Sequence, residues 1–288
     1  MHIAINSNSV RNPSLGFTAP GLGDRIHIIT TAWCLARYFK TKVTIHLTSD
    51  KFVESKKDSF EEILQLFPKN EIYLQCHPVS RLSEAGWISY LKIQGIDAIN
   101  YWYKDHPGWY EEVKKIDISE YIKTIPLLTT KNRNFINKES CNYVTSQWDS
   151  SGKNRQIDNN ARKRIIDKYV KMGYEVVTIG GEAENDELKY SLKHIAHVIS
   201  NAKLHIGVDS GFMHLAQLYL PATNLHIYHE RKGWWSHHIL RLIDNGGILN
   251  QYYIRISIFD RLLNRMRYDS KISRRFICFF MRGKNDNK

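Results

Sequence analysis

The chain has little cysteine, and what it has is scattered. Cys34, Cys76, Cys141 and Cys278 are the only four in 288 residues. They form no CxxC and no Cys/His ligand spacing, which excludes a disulfide framework or a zinc-finger scaffold. Thiols, most of them buried, are the expected state, and no metal site is expected. No stretch approaches the ~20 uninterrupted apolar residues of a spanning helix. The opening residues Met1-His2-Ile3-Ala4-Ile5-Asn6 lack the charged-then-apolar order of a signal peptide and read as a first core strand of a cytosolic protein. There is no short-period repeat and no low-complexity tract. Two phosphate-binding signatures are also missing. Gly21 and Gly23 are not followed by the third glycine of GxGxxG, and no Gly-Lys-Ser/Thr follows either, which weakens the dinucleotide-oxidoreductase and P-loop readings.

What is present in excess is positive charge. The formal net charge is +12, which implies an anionic partner: nucleic acid, a phosphorylated small molecule or an acidic membrane surface. From Arg255 to Lys288 basic residues alternate with Ile, Leu, Phe and Met, as in a basic amphipathic surface segment. An ordinary solvated basic tail is the other account. No RNA-binding, zinc-finger or helix-turn-helix signature accompanies it, so no nucleic-acid partner is expected. Hydrophobic residues make up 42% of the chain, enough to fill two cores.

Apolar strand, turn and amphipathic helix recur in two series, which predicts an α/β architecture with parallel sheets. The first series has strands at 2–6, 43–47 and 72–74, with a helix over about 24–39 whose inner face holds Ile28, Ala32, Leu35 and Ala36. A short helix at 60–67 stops before Pro68. Residues 76–138 are rich in aromatics, Trp87, Tyr90, Trp102 and Trp109 among them, and only weakly periodic. The second series has strands at 142–145, 175–179, 204–208 and 224–228, with helices over about 159–172, 188–201 and 212–219. Gly173 stands where a helix C-terminal glycine belongs. A last helix is expected from about Tyr252 to Met266. The division drawn is 1–138, 139–250 and a basic helical segment 251–288.

Two segments could carry chemistry. In Ile206-Gly207-Val208-Asp209-Ser210-Gly211-Phe212-Met213-His214-Leu215-Ala216 a buried strand ends at an acid, a hydroxyl and a glycine, and a helix begins. Such a turn suits a phosphate, with Gly211 letting backbone approach closely. Equally, Ser210 or Asp209 would serve as a simple helix N-cap. In Pro20-Gly21-Leu22-Gly23-Asp24-Arg25-Ile26-His27 a glycine-rich turn runs into a helix. Asp24 is either a functional carboxylate at the mouth of the first unit or a cap for that helix.

Together, and with the Gly180-Gly181 turn between them, these segments resemble the lipopolysaccharide heptosyltransferase family, glycosyltransferase family 9. Its signatures are a Gly-Asp turn opening the first helix and a strand followed by Asp-Ser/Thr-Gly and then His-Leu-Ala. The resemblance spans about residues 15–45 and 140–230. It implies a GT-B fold, two Rossmann-like lobes facing each other across a cleft, with a C-terminal helix crossing back over the first. It implies an inverting, metal-independent transfer of a sugar, heptose among the candidates, from a nucleotide-diphosphate sugar to a lipopolysaccharide-type or other surface glycan. No cofactor is needed beyond the donor.

By the same resemblance Asp24 would be the general base, with Gly21, Gly23 and His27 in an acceptor-side loop. Asp209 would hold donor hydroxyls or set the turn, and the amides of Ser210 and Gly211 would receive the diphosphate. His214 would reach the same phosphates or pack in the core. Lys153 or Arg155 would face the diphosphate. Glu182 and Glu184, after Gly181, would accept the ribose hydroxyls or simply be solvated. His229 stands where glycine is common in the family. Two other classes remain open: a sugar-nucleotide epimerase of the same fold, and a non-catalytic basic protein holding anionic membrane or nucleic acid. The basic C-terminal segment would place the enzyme against an anionic inner-membrane surface.

Overall fold

A computed structural model describes residues 1–5, 22–48, 60–67, 71–79, 82, 84–100, 142–150, 157–229 and 250–253. Its strands are β1 His2–Ile5, β2 Val43–Thr48, β3 Ile72–His77, β4 Ala98–Asn100, β5 Tyr143–Gln147, β6 Glu175–Thr178, β7 Leu204–Gly207, β8 Leu225–His229 and β9 Asn250–Tyr253. The helices are α1 Leu22–Phe39, α2 Glu84–Ile93, α3 Asn159–Lys171, α4 Asp186–Tyr190, α5 Leu192–Asn201 and α6 Gly211–Ala216, with a further helical run at 60–64.

The strands form two sheets, ordered β3-β2-β1-β4 and β6-β5-β7-β8-β9. Every pairing between them is parallel. This is the α/β class expected from alternating strand and helix, since parallel neighbours need a crossover and helices supply it. In the first sheet Ile3, Val43, Ile45 and Leu47 are buried with the inner face of α1, where Ile28, Ala32, Leu35 and Ala36 are each at most 2% exposed. That core does not stop at the sheet. It continues from α1 into Ile195 and Ile199 of α5, Met213, Leu215 and Ala216 of α6, and Leu225 and Ile227 of β8. Burying an Ile or Leu contributes about 1.5–3 kcal/mol, so this continuity joins the two sheets strongly through α1.

Local signals account for the ends. Asp158 caps α3 by accepting from the Asn160 and Ala161 amides at 2.8 and 2.9 Å. Gly173 closes α3 at φ +85°, a left-handed position that glycine takes without strain.

Several expectations need correction. The helix placed over 188–201 is two helices. Ser191 is extended at φ −92° and ψ 106°, ending α4 and capping α5, where its hydroxyl accepts from the His194 amide at 3.4 Å. Helix α1 begins at Leu22, so Gly23, Asp24 and His27 lie on a helix rather than in a loop, and Asp24 is its third residue, past the capping position. Residues 84–93 and 98–100, within the weakly periodic stretch, are α2 and β4. Tyr252, where a last helix was to start, belongs to β9, which pairs with β8 through Tyr228 and Tyr252. The rest of that helix, and the division at 138, fall outside the described residues. Cys34 is buried, and desolvation pushes its thiol up to about 12. Cys76, on edge strand β3, is exposed. No helix among the described residues is long and apolar enough to cross a membrane.

Candidate functional site

The two glycine-bearing segments meet. Gly211, the first residue of α6, lies so close to the start of α1 that a Cβ there would stand 2.6 Å from Leu22 Cβ and 2.9 Å from the Gly23 nitrogen. Gly23 in turn faces His214, and a Cβ at 23 would be 2.5 Å from its Cδ2. Real Cβ atoms do not approach so closely, so both positions demand glycine for packing, although neither has a left-handed backbone. Thus the Gly23-Asp24 turn of helix and the Asp209-Ser210-Gly211 turn share one place. It lies beyond the carboxyl end of β7, where ligands of open parallel sheets bind.

Around this meeting point the polar groups are ordered. Asp209, Ser210 and His214 are all buried, at 5%, 4% and 8% exposure. His214 Nε2 lies 3.9 Å from Asp209 Oδ1, an ion-pair separation when the ring is protonated. Ser210 is the N-cap of α6, accepting from the Met213 amide at 3.4 Å. Its hydroxyl hydrogen goes to Gln147 Oε1 at 2.5 Å. Of the two accounts for Ser210, capping is therefore realised. His214 is likewise packed, yet it sits at the junction of the two segments.

Three residues that the sequence reading did not single out belong here. Gln147 ends β5, is 3% exposed, and ties Ser210 to the following loop by donating from Nε2 to the Asp149 carbonyl. Asp149 brings a carboxylate to Gly181, where a Cβ would be 3.1 Å from its Oδ2. Phe212 closes on Gly180, whose φ of +80° makes glycine necessary. No spacing signal marks them, because each meets its partner across strands.

The two acids expected at the ribose both lie at the surface end of the Gly180-Gly181 turn. Glu182 forms an ion pair with Arg162 of α3, and Glu184 is exposed. Lys153, Arg155 and Gly21 lie outside the described residues, as do Trp102, Trp109, Trp234 and Trp235. The side chains of Asp24 and His27 do as well; only their place on α1 is described. Among the described residues no group of three or more His, Cys, Asp or Glu side chains is arranged to hold a metal ion.

A second set of titratable groups lies elsewhere. His2 of β1, His46 of β2 and His77 of β3 form a chain of imidazoles under α2. His2 Nδ1 is 2.8 Å from His46 Nε2, and His46 Nδ1 is 2.9 Å from His77 Nε2. Burial first, then the neighbouring His77 and His2, holds His46 down to about 4. Burial also lowers His77. In the second sheet His205 bonds the Thr145 hydroxyl at 2.9 Å, and complete burial lowers it to about 3.

Fold and site together define a class: an α/β protein of two parallel sheets joined through α1 and α6 at a glycine-lined polar contact. No protein-family model matches the chain, and no curated protein sequence does. Solved structures do. The chain is similar to the ADP-heptose lps heptosyltransferase II of E. coli at 13% identity, over 90% of this chain and 91% of that one, with a TM-score of 0.50. It also resembles the glycosyl transferase family 9 protein of Veillonella parvula at 11% identity, over 86% and 91% of the two chains, with a TM-score of 0.45. E. coli heptosyltransferase WaaC with ADP matches at 13% identity, over 89% and 94%, with a TM-score of 0.43. The first of these likenesses shows the fold; at such identity it assigns no residue.

Proposed function

We propose that the chain is a glycosyltransferase of GT-B type that moves a sugar from a nucleotide-diphosphate donor to a glycan or glycolipid acceptor. The observation that carries this reading is the contact of Gly23 with His214 and of Gly211 with Leu22. It joins the two sequence segments whose resemblance to family 9 first suggested the activity. The fold shared with a heptosyltransferase supports it.

Sugar transfer needs a base at the acceptor hydroxyl and fixed charge or donors at the leaving diphosphate. Asp24, one residue past Gly23, is the proposed base. Asp209, His214 and the amides of Ser210 and Gly211 form the donor side, with Lys153 or Arg155 completing it. Asp149 brings a second acid to the Gly181 turn, beside Glu182. Heptose as the sugar, a lipopolysaccharide-type acceptor, inversion without a metal, and work at the cytoplasmic face of a membrane reached through the basic residues 255–288 are the finer parts of the same proposal.

A thermal-shift series over nucleotide sugars tests the donor, since a ligand bound only by the folded state raises the melting temperature. Mass analysis of products then tests transfer; a donor converted without change of mass points instead to an epimerase. Asp24→Ala is expected to keep donor binding while turnover drops at least about a hundredfold. Normal turnover in that variant removes Asp24 as the base.

A further inference from the structure

The turns that follow β5, β6 and β7 converge on one side chain, that of Gln147. Its backbone carbonyl accepts from the Val208 amide at 3.2 Å, and its Oε1 accepts from the Ser210 hydroxyl at 2.5 Å. Its Nε2 donates to the carbonyl of Asp149, and Ser150 Oγ closes the ring by donating to the Asp209 carbonyl at 3.2 Å. On the β6 side a Cβ at Gly180 would lie 3.4 Å from Gln147 Cγ, so that turn is shaped against the same side chain.

We propose that Gln147 is the positioning residue of the donor crevice, holding the Asp209-Ser210-Gly211 turn and the loop after β5 in one relative geometry. The inference rests on the donor reading above and adds to it a residue with no place in the motifs. The chemistry requires an amide. One end must accept a hydrogen from Ser210 while the other gives one to a carbonyl, and at neutral pH no carboxylate can do both. A methionine of similar length can do neither.

An isosteric change therefore separates positioning from mere filling of space. In Gln147→Glu the ionised carboxylate still accepts from Ser210 but opposes the Asp149 carbonyl. Once protonated, it can accept and donate as the amide did. The other titratable or charged groups described nearby are Asp149 on the same loop, with Asp209 and His214 on the turn and α6; the β6 side presents Gly180 and, beyond it, Glu182 paired with Arg162. These are common to both proteins, so the ratio of variant to wild type isolates position 147.

Hydrogen exchange over residues 208–213 of the full, ligand-free chain is the first measurement. Corrected for intrinsic rates, Gln147→Glu is expected to exchange faster than wild type at about pH 8 and to converge on it by about pH 5.5, because burial beside Asp149 and Asp209 raises the new carboxyl above the ordinary ~4.3 and lets it take up its proton. Gln147→Met is expected to exchange faster at both. Calorimetric binding of ADP is the second. The Gln147→Glu affinity is expected to be about tenfold weaker at the higher pH, the loss of roughly one hydrogen bond, and to recover at the lower. Thr145→Val, on the same strand but bonded to His205, is expected to bind as wild type does. Exchange and affinity ratios that ignore pH overturn the proposal. A wild-type chain that binds no nucleoside diphosphate overturns the donor reading instead, and the exchange result is read independently of it.

Discussion

The two sheets bury their histidines differently, and the difference determines how each responds to acid. In the first, His2, His46 and His77 bond to one another across three strands. Two N···N links need one hydrogen each, and three neutral rings carry three, so one is left for an outer nitrogen. The chain can take one more proton at its other end. A second would put two hydrogens into one link and break it. In the second sheet His205 faces the Thr145 hydroxyl, which can donate or accept and so suits either tautomer, but there is no second ring to share a charge. Mutual bonding lets a row of imidazoles lie beneath α2, with Trp87 and Tyr90 edge-on to His77. A hydroxyl partner permits complete burial of a single one.

The strongest way to break the comparison is to part the second sheet alone. A Cβ at Gly207 would stand 2.1 Å from the Gln147 carbonyl oxygen, so Gly207→Ala must push β5 and β7 apart. It is expected to cost about 3 kcal/mol or more, because the atom met is backbone and cannot turn aside. Since the core runs through α1 into both sheets, urea unfolding should show one weakened transition rather than loss of one half. Stability unchanged from wild type would contradict the β5–β7 register.

Acid is the next lever. Both His46, at about 4, and His205, at about 3, lie below the ordinary histidine value of 6.5. The unfolded chain therefore binds protons that the folded one refuses. Their stabilisation is complete above about pH 6.5 and is lost as pH falls toward those values. The loss at about pH 4 is expected to be on the order of 2–3 kcal/mol per ring. His46→Gln should flatten the slope of unfolding free energy between about pH 6.5 and pH 4 and leave the His205 part. An unchanged slope would remove the first sheet from the comparison.

The smallest effect sharpens it. In the second sheet Tyr169 bonds the Tyr228 hydroxyl at 2.9 Å and His226 Nδ1 at 2.5 Å, a phenol-linked cluster on the face away from α6. Burial, followed by the bond to Tyr228, raises the Tyr169 phenol far above its usual value, so it stays a neutral donor. Tyr169→Phe is expected to cost about 1 kcal/mol by chemical denaturation, with no change in its pH slope below neutrality. A change in that slope would mean that His226 titrates through this cluster.

Much of the fold could be read from local pattern. The inner stripe of α1, the alternation in β2 and the cap and glycine around α3 are signals contained in a few consecutive residues. Helix α2 was legible in principle, since Trp87 and Leu91 are buried four apart and Gly95, at φ +74°, plays the part that Gly173 plays for α3. Apolar residues on its other faces, Ala85, Ile88, Tyr90 and Ile93, obscured the period. Ser191 was read as an ordinary helical residue because its hydroxyl also fits a helix surface; only its extended backbone reveals the break.

By itself the sequence determined the class of fold and the identity of the segment 209–214, because strand periodicity, a hydroxyl cap and a glycine act over neighbouring residues. Tertiary structure alone decided that Gly23 touches His214, that Gln147 holds Ser210, and that Glu182 answers Arg162. Those contacts join residues distant along the chain, and sheet order with crossover packing, rather than spacing, brings them within reach.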